Sequence, residues 1–290
     1  MNLLTSLSVV LLLSGLTVSL ATVLIIAGRF LAVDEDPRVG LVAEMLPQSN
    51  CGACGLPGCS AFAEAVVAGT VSPSECSVNS HDECGKIAAF LGVDVGSVER
   101  RVARLACAGG ENVARHNAQY SGMQSCSAAT LVGGGGKACF WGCLGLADCA
   151  VACDFDAISM NEHSLPVVDE DRCTACGDCV TACPKDLFSL QPISQRLFVA
   201  CASRDKGRGV LDNCDVGCTG CTKCSKDSDG QITMDDNLPI IDVSLDGGLK
   251  RAINGCPTGA IVWLDPEQGP QIGETALKKR SRNQAKEAVS

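Results

Sequence analysis

Cys173, Cys176, Cys179 and Cys183 stand in the run Cys-Thr-Ala-Cys-Gly-Asp-Cys-Val-Thr-Ala-Cys-Pro. That C-x2-C-x2-C-x3-C-P spacing is the one by which proteins hold [4Fe-4S] clusters. Three thiolates two residues apart converge on one compact object, which leaves the surrounding backbone little choice of shape. Sixteen of the 21 cysteines sort into four such sets, so the pattern governs most of the chain behind its N-terminal segment.

So many cysteines in a secreted protein would suggest disulfides, but closely spaced triplets suit a metal site better than separate bridges. Aromatic residues make up only 3% of the chain, against 21 cysteines and 31 glycines. Conventional cores would therefore be small, and clusters are expected to take their place. The formal charge is -10, and each oxidised four-thiolate cluster adds roughly -2 more. Such a chain does not suit nucleic acid, whose backbone selects basic partners.

Leu3 to Ala27 carries no charged side chain. At about 1.5 Å per residue this run exceeds the roughly 30 Å hydrocarbon core of a bilayer, and one transmembrane helix is expected. No Lys or Arg precedes Arg29, which disfavours a cleaved signal peptide. The positive-inside rule, applied to Arg29 and Arg38, predicts a single-pass protein of the inner (cytoplasmic) membrane with its soluble domains in the cytoplasm. Within the span, Ser8, Gly15, Ser19 and Thr22 recur at roughly helical intervals. They offer either a close-packing stripe for another helix or hydroxyls that bond back to their own helix.

Beyond the span, Cys51, Cys54, Cys59 and Cys76 form C-x2-C-x4-C-x16-C. Gly and Pro tighten the loop that carries the first three. Ala61 to Ala68 reads as a short helix ended by Gly69. Zinc could use the same four thiolates, and the downstream arrays favour iron. Cys84, ahead of a helical stretch at Lys86 to Leu91, reads as a buried small residue.

Cys139, Cys143, Cys149 and Cys153 follow with spacing C-x3-C-x5-C-x3-C, just ahead of Cys173 to Cys183. In a two-cluster ferredoxin the fourth cysteine of each run ligates the other cluster. The expected sets are thus Cys139, Cys143, Cys149 with Cys183, and Cys173, Cys176, Cys179 with Cys153. A third array keeps only Cys218, Cys221 and Cys224, with Ser228 at the fourth position. Cys256-Pro257 later supplies a crossing cysteine that has no triplet of its own. Cross-ligation joins these remnants into a single site.

Cys107, Cys126, Cys201 and Cys214 remain. Leu-Ala-Cys107-Ala and Val-Ala-Cys201-Ala each precede a ferredoxin-like stretch, which suggests equivalent strands. Four clusters are expected, and a fifth if these thiols converge; buried structural cysteine is the alternative. Gly133-Gly-Gly-Gly136-Lys137 is not a phosphate loop, because Leu131 and Ala138 occupy positions that need Gly and Ser or Thr. It reads as a flexible joint. His81, His116 and His163 are scattered in polar surroundings. Lys278, Lys279, Arg280, Arg282 and Lys286 make a basic tail, either solvated or resting on an anionic surface.

The fold class expected is α+β: a single N-terminal transmembrane helix, a small helical 4Fe-4S domain, then bacterial-type ferredoxin modules. The divisions are an anchor at 1–30, the N-terminal 4Fe-4S domain at 31–97 and a linker at 98–137. A two-cluster module at 138–200, a one-cluster module at 201–264 and a basic tail at 265–290 follow.

Phe30-Leu-Ala-Val-Asp-Glu-Asp-Pro-Arg38 and Leu46-Pro-Gln-Ser-Asn-Cys-Gly-Ala-Cys-Gly-Leu-Pro-Gly-Cys59 resemble the iron–sulfur (B-type) subunit of the Rnf complex, the membrane-bound ferredoxin:NAD oxidoreductase. Lys137 to Cys149 and Cys201 to Gly207 are similar to the longer versions of that subunit. The resemblance implies electron transfer from reduced ferredoxin through other Rnf subunits toward NAD, coupled to sodium or proton translocation. It also implies that Cys51, Cys54, Cys59 and Cys76 hold the family's N-terminal cluster. The alternatives are a polyferredoxin subunit of another membrane enzyme, such as a hydrogenase, and a zinc-bound scaffold without redox activity.

Overall fold

The structure, a computed structural model, describes residues 3–30, 36–241, 250–266 and 268–277. The five basic residues of the tail lie outside the described residues.

Helix α1 (Leu3–Phe30) spans 28 residues. Its Val10–Phe30 part is long and apolar enough to cross a membrane, and none of it is buried against the rest of the chain. The hydroxyls of Ser14, Thr17 and Thr22 donate to the carbonyls of Leu11, Ser14 and Val18 in the same helix. Thr22 is thus satisfied internally, while Gly15 faces open space.

Three helices build the next unit. Asp36 caps α2 (Pro37–Met45), its carboxylate accepting the Arg38 N–H at 2.9 Å. Helix α3 (Cys59–Val67) starts two residues before the expected helix, at a cysteine, and turns off at Gly69. Helix α4 (His81–Leu91) starts five residues before the expected Lys86, because Ser80 and Glu83 form a reciprocal capping box. Cys84 therefore lies inside the helix, 3% exposed. Val42, Leu46, Phe62, Ala63, Val66 and Ile87 make the core that the three helices share.

Two equivalent modules follow. In the first, β1 (Arg101–Leu105) precedes α5 (Cys126–Leu131), α6 (Asp148–Val151), β2 (Ile158–Met160), β3 (Pro166–Val168), α7 (Asp178–Ala182) and β4 (Phe188–Pro192). Strand β2 pairs with β3, and β1 pairs antiparallel with β4, Arg101 opposite Pro192 and Leu105 opposite Phe188. In the second, the order is β5 (Leu197–Val199), α8 (Arg208–Asn213), α9 (Lys223–Asp227), β6 (Ile232–Asp235), β7 (Leu238–Ile241), α10 (Lys250–Gly255), β8 (Ile261–Asp265) and β9 (Gly269–Gln271). Strand β6 pairs with β7 and β5 with β8. Each module thus begins with a strand that closes on a strand at its far end.

The segment 98–137 is accordingly not a linker. Its strand β1 belongs to the first module's sheet, and the second half of its glycine run, Gly135 and Gly136, is packed. All four of Gly133 to Gly136 have φ between +65° and +80°, a left-handed turn that side chains resist. A Cβ on Gly136 would sit 2.1 Å from the Ala118 carbonyl oxygen. The run thus ends in a close contact and is not a free joint.

Candidate metal centres

Twenty of the 21 cysteines line five cavities, four cysteines to a cavity. Cys84, inside α4, lines none of the five.

The first cavity brings together Cys51, Cys54, Cys59 and Cys76, walled by Leu46, Pro47 and Phe62. Asn50 Oδ1 accepts the Cys59 N–H at 2.9 Å and so fixes the end of the loop against the start of α3. Burial raises the Cys76 thiol above its ordinary range, and the neighbouring Cys54 and Cys51 add to this against two backbone amides.

Cys153, Cys173, Cys176 and Cys179 share a second cavity with Ala103, Ala157, Ile158 and Leu190. The N–H groups of Ala103 and Ala157 donate to Sγ of Cys173 and Cys153, each at 3.4 Å.

The third cavity departs from the expected set at one position. With Cys143, Cys149 and Cys183 stands Cys126, not Cys139. Asp148 explains the exchange. Its carboxylate accepts the N–H groups of Cys126 and Ser127 and the hydroxyls of Ser125 and Ser127, all at 3.0 to 3.1 Å. The start of α5 is thereby clamped beside Cys149. Burial alone would raise the Asp148 carboxyl; these four donors outweigh it and hold the group below the usual carboxylate range.

Cys139 instead joins Cys107, Cys201 and Cys214 around a fourth cavity. Cys107 and Cys201 lie two residues past β1 and β5, and Ala108 N–H donates to the Ala200 carbonyl at 3.0 Å, which draws the two equivalent segments together. Isolated bridges pair Ala114 with Cys214 and His116 with Lys137, so Cys214 and Cys139 are carried to the same place. Gly109 leaves the space open: a Cβ there would lie 3.1 Å from Cys214 Sγ and 3.7 Å from Cys107 Sγ. Lys137 lines this cavity, and its Nζ donates to the carbonyls of Gly109 and Cys143.

The fifth cavity holds Cys218, Cys221, Cys224 and Cys256. Ser228 is elsewhere. Its hydroxyl donates to the Ser225 carbonyl at 2.9 Å and accepts the Ile232 N–H at 3.0 Å. Cys153 and Cys183 receive the same bond from the residue four positions on, so Ser228 keeps the hydrogen bond of a crossing cysteine. Where a partner site would stand, Leu197, Ile232, Ala252, Ile253 and Ile261 form an apolar core.

The donor sets fit clusters better than single ions. Among the described residues, no three Cys, His, Asp or Glu side chains gather closely enough to hold one metal ion, whereas zinc needs its thiolates within about 2.3 Å of one point. Burial first, and neighbouring thiols next, push Cys149 and Cys179 up to about 12. Burial likewise lifts Cys143 and Cys201 to about 12 and Cys224 to about 11. Four such thiols ionise together only when positive charge arrives with the metal. Neither the exchange of Cys126 and Cys139 nor the fourth cavity follows from cluster motifs. The signal was in the spacing, since C-x3-C-x5-C is longer than a C-x2-C-x2-C loop and leaves the first cysteine out of register.

Comparison with known proteins also points to iron–sulfur binding. Residues 46–78 match the family model described as "Putative Fe-S cluster" and residues 165–188 match "4Fe-4S binding domain". Over 91% of its length the chain is 37% identical to the B-type subunit of the proton-translocating ferredoxin:NAD(+) oxidoreductase complex of Clostridium ljungdahlii, covering 92% of that protein. The chain belongs to the Rnf B-type subunit family. It is also 39% identical to the B-type subunit of the Na(+)-translocating ferredoxin:NAD(+) oxidoreductase complex of Acetobacterium woodii, over 82% of this chain and 72% of the relative. The B-type subunit of the ion-translocating oxidoreductase complex of Methanosarcina acetivorans is 36% identical, over 86% and 95%. This Rnf chain is therefore an iron–sulfur electron-transfer subunit of a multi-subunit oxidoreductase, and the one helix among the described residues that is long and apolar enough to cross a membrane fits a membrane-anchored member.

Proposed function

We propose that this chain accepts electrons from reduced ferredoxin and delivers them to the other Rnf subunits on the path to NAD, using five [4Fe-4S] sites held by twenty cysteines. The bound clusters supply reversible one-electron storage. The ligand sets are Cys51, Cys54, Cys59, Cys76; Cys153, Cys173, Cys176, Cys179; Cys126, Cys143, Cys149, Cys183; Cys107, Cys139, Cys201, Cys214; and Cys218, Cys221, Cys224, Cys256.

The observation that carries the reading is the cavity of Cys107, Cys139, Cys201 and Cys214. Two of its cysteines follow β1 and β5, the first strands of the two modules, so it lies where the modules meet. Its Cys107 Sγ accepts the Cys143 N–H at 3.4 Å, and its Cys201 Sγ accepts the Cys218 N–H at 3.2 Å. These bonds tie three sites in a row, and the segment that carries Cys149 into one of them carries Cys153 into the fourth. Mostly apolar walls limit contact with water, with Cys221 the exposed exception, and amides directed at sulfur favour the more negative, reduced state. The soluble domains are assigned to the cytoplasmic side, where Arg29 and Arg38 follow the span.

The test is direct reduction. Reduced ferredoxin added to the purified complex without NAD should bleach the iron–sulfur absorption of this subunit. No bleaching with ferredoxin, while dithionite still bleaches it, would overturn the donor assignment.

A further inference from the structure

We propose that the hydroxyls of Ser77 and Thr174 donate hydrogen bonds to sulfur in the first and second sites and so raise the reduction potentials there. This rests on the reading above that the cavities hold [4Fe-4S] clusters.

Six buried side-chain nitrogen and oxygen atoms have no hydrogen-bond partner among the described residues, and two of them are hydroxyl oxygens, Ser77 Oγ and Thr174 Oγ1. Both hydroxyls belong to cavity walls, Ser77 to that of Cys51, Cys54, Cys59 and Cys76, Thr174 to that of Cys153, Cys173, Cys176 and Cys179. The other four atoms, on Asn79, Arg104 and Gln195, belong to residues that line none of the five cavities. A buried hydroxyl left unpaired is costly, and native structures rarely keep one. The acceptors gathered at these two cavities are sulfurs.

The chain fixes both residues. Ser77 directly follows Cys76 and Thr174 directly follows Cys173. The Ser72 N–H donates to the Glu75 carboxylate at 2.8 Å and the Cys76 N–H to the Pro73 carbonyl at 3.4 Å, so Ser77 leaves a tied turn. Thr174 stands between Cys173, whose Sγ accepts the Ala103 N–H at 3.4 Å, and Ala175, which takes a left-handed φ of +57°.

Neither hydroxyl has an equivalent in its own wall. Ser49, the other serine lining the first cavity, is exposed, and Thr174 is the one Ser or Thr lining the second. The wall around Cys126, Cys143, Cys149 and Cys183 contains no Ser, Thr or Tyr. One-electron reduction takes a four-thiolate site from about -2 to about -3, while the hydroxyl keeps its proton. A donor bonds the more negative sulfur more strongly, so each hydroxyl favours the reduced state and makes its site the better electron acceptor.

The experiment is a potentiometric titration of the intact complex with dithionite, followed by electron paramagnetic resonance. Ser77→Ala should lower the midpoint of the first site by about 59 mV, the one-electron equivalent of a tenfold change in the reduction equilibrium. Thr174→Val, which keeps the side-chain shape, should lower that of the second by a similar amount. Ser77→Thr and Thr174→Ser retain a hydroxyl and should hold the wild-type midpoints, and the site of Cys149, which has no such donor, should not move in any variant. A midpoint does not depend on the fraction of chains that carry the site, so partial loss of iron leaves the reading intact. An unmoved midpoint in Ser77→Ala or Thr174→Val would overturn the assignment of that hydroxyl. Equal shifts in the variants that keep the hydroxyl and those that lack it would make the effect one of packing and overturn it as well. Complete loss of iron from the altered site would make the hydroxyl a structural requirement and not a tuning group. A wild-type complex without iron–sulfur signals would overturn the reading of the cavities, and the hydroxyl assignment with it.

Discussion

The Cys143 N–H donates to Cys107 Sγ at 3.4 Å, although the two cysteines line different cavities. Cys218 and Cys201 repeat the relationship at 3.2 Å on the other flank of the bridging cavity. Each end of that site is therefore tied to its neighbour through backbone as well as through packing, and changes at one site should be felt at the next.

Asp148 gives the first test. Asp148→Ala removes the acceptor for four donors around the start of α5, and loss of a cap of this kind costs on the order of 1 kcal/mol. Cys126 should swing away from its cavity. The expected outcome is loss of about four iron atoms per chain, by four-iron stoichiometry, with the other sites retained. Unchanged iron would mean that the clamp does not hold Cys126 in place.

Cys256 and Ser228 separate the two explanations of the incomplete array. Cys256→Ser should abolish the spectroscopic signal of the Cys218, Cys221, Cys224 site. Ser228→Ala should keep that signal while lowering stability by about 1–3 kcal/mol, because the buried Ile232 N–H loses its acceptor. Thermal unfolding and paramagnetic resonance measure both. Exchanged results would make Ser228 the ligand.

Iron removal should not affect the two modules equally. The first module's core contains Cys149, Cys173 and Cys179 themselves, so it loses its centre with its clusters. The second has one ligand cysteine in its core, Cys224, and keeps Leu197, Ile232, Ala252, Ile253 and Ile261 around it. After chelation, amide exchange should remain slower at Ile232 and Ile261 than at Ile158 and Phe188. Equal exchange at all four would show that the apolar core does not hold the second module by itself.

The anchor is separable. Deleting residues 1–35 removes the span Val10–Phe30, which lies apart from the rest of the chain. The remainder should be soluble and still brown. Retention in washed membranes that lack the other subunits would reveal a second membrane contact.

The sequence displayed the apolar span, the grouping of Cys153 with Cys173, Cys176 and Cys179, and that of Cys256 with Cys218, Cys221 and Cys224, because each rests on a recurring motif spacing. It also exposed the likeness of the Cys107 and Cys201 segments, which the structure explains as equivalent strands β1 and β5. The partner of Cys143 was not legible, since it depends on a carboxylate 22 residues from Cys126. The packed role of Gly133 to Gly136 was hidden for a similar reason: the contact that requires glycine is with Ala118, outside the run. Long-range backbone pairing, such as Ala114 with Cys214, leaves no local mark.

The central claim is the bridging site, and iron per chain measures it most directly. Anaerobically purified, fully occupied wild-type protein should contain about twenty iron atoms per chain, and Cys107→Ser with Cys201→Ser about sixteen, by four-iron stoichiometry. The double variant should also lose electronic communication between the sites of Cys149 and Cys224, seen as loss of magnetic coupling on full reduction. Sixteen iron atoms in the wild type, unchanged in the double variant, would contradict the bridging site.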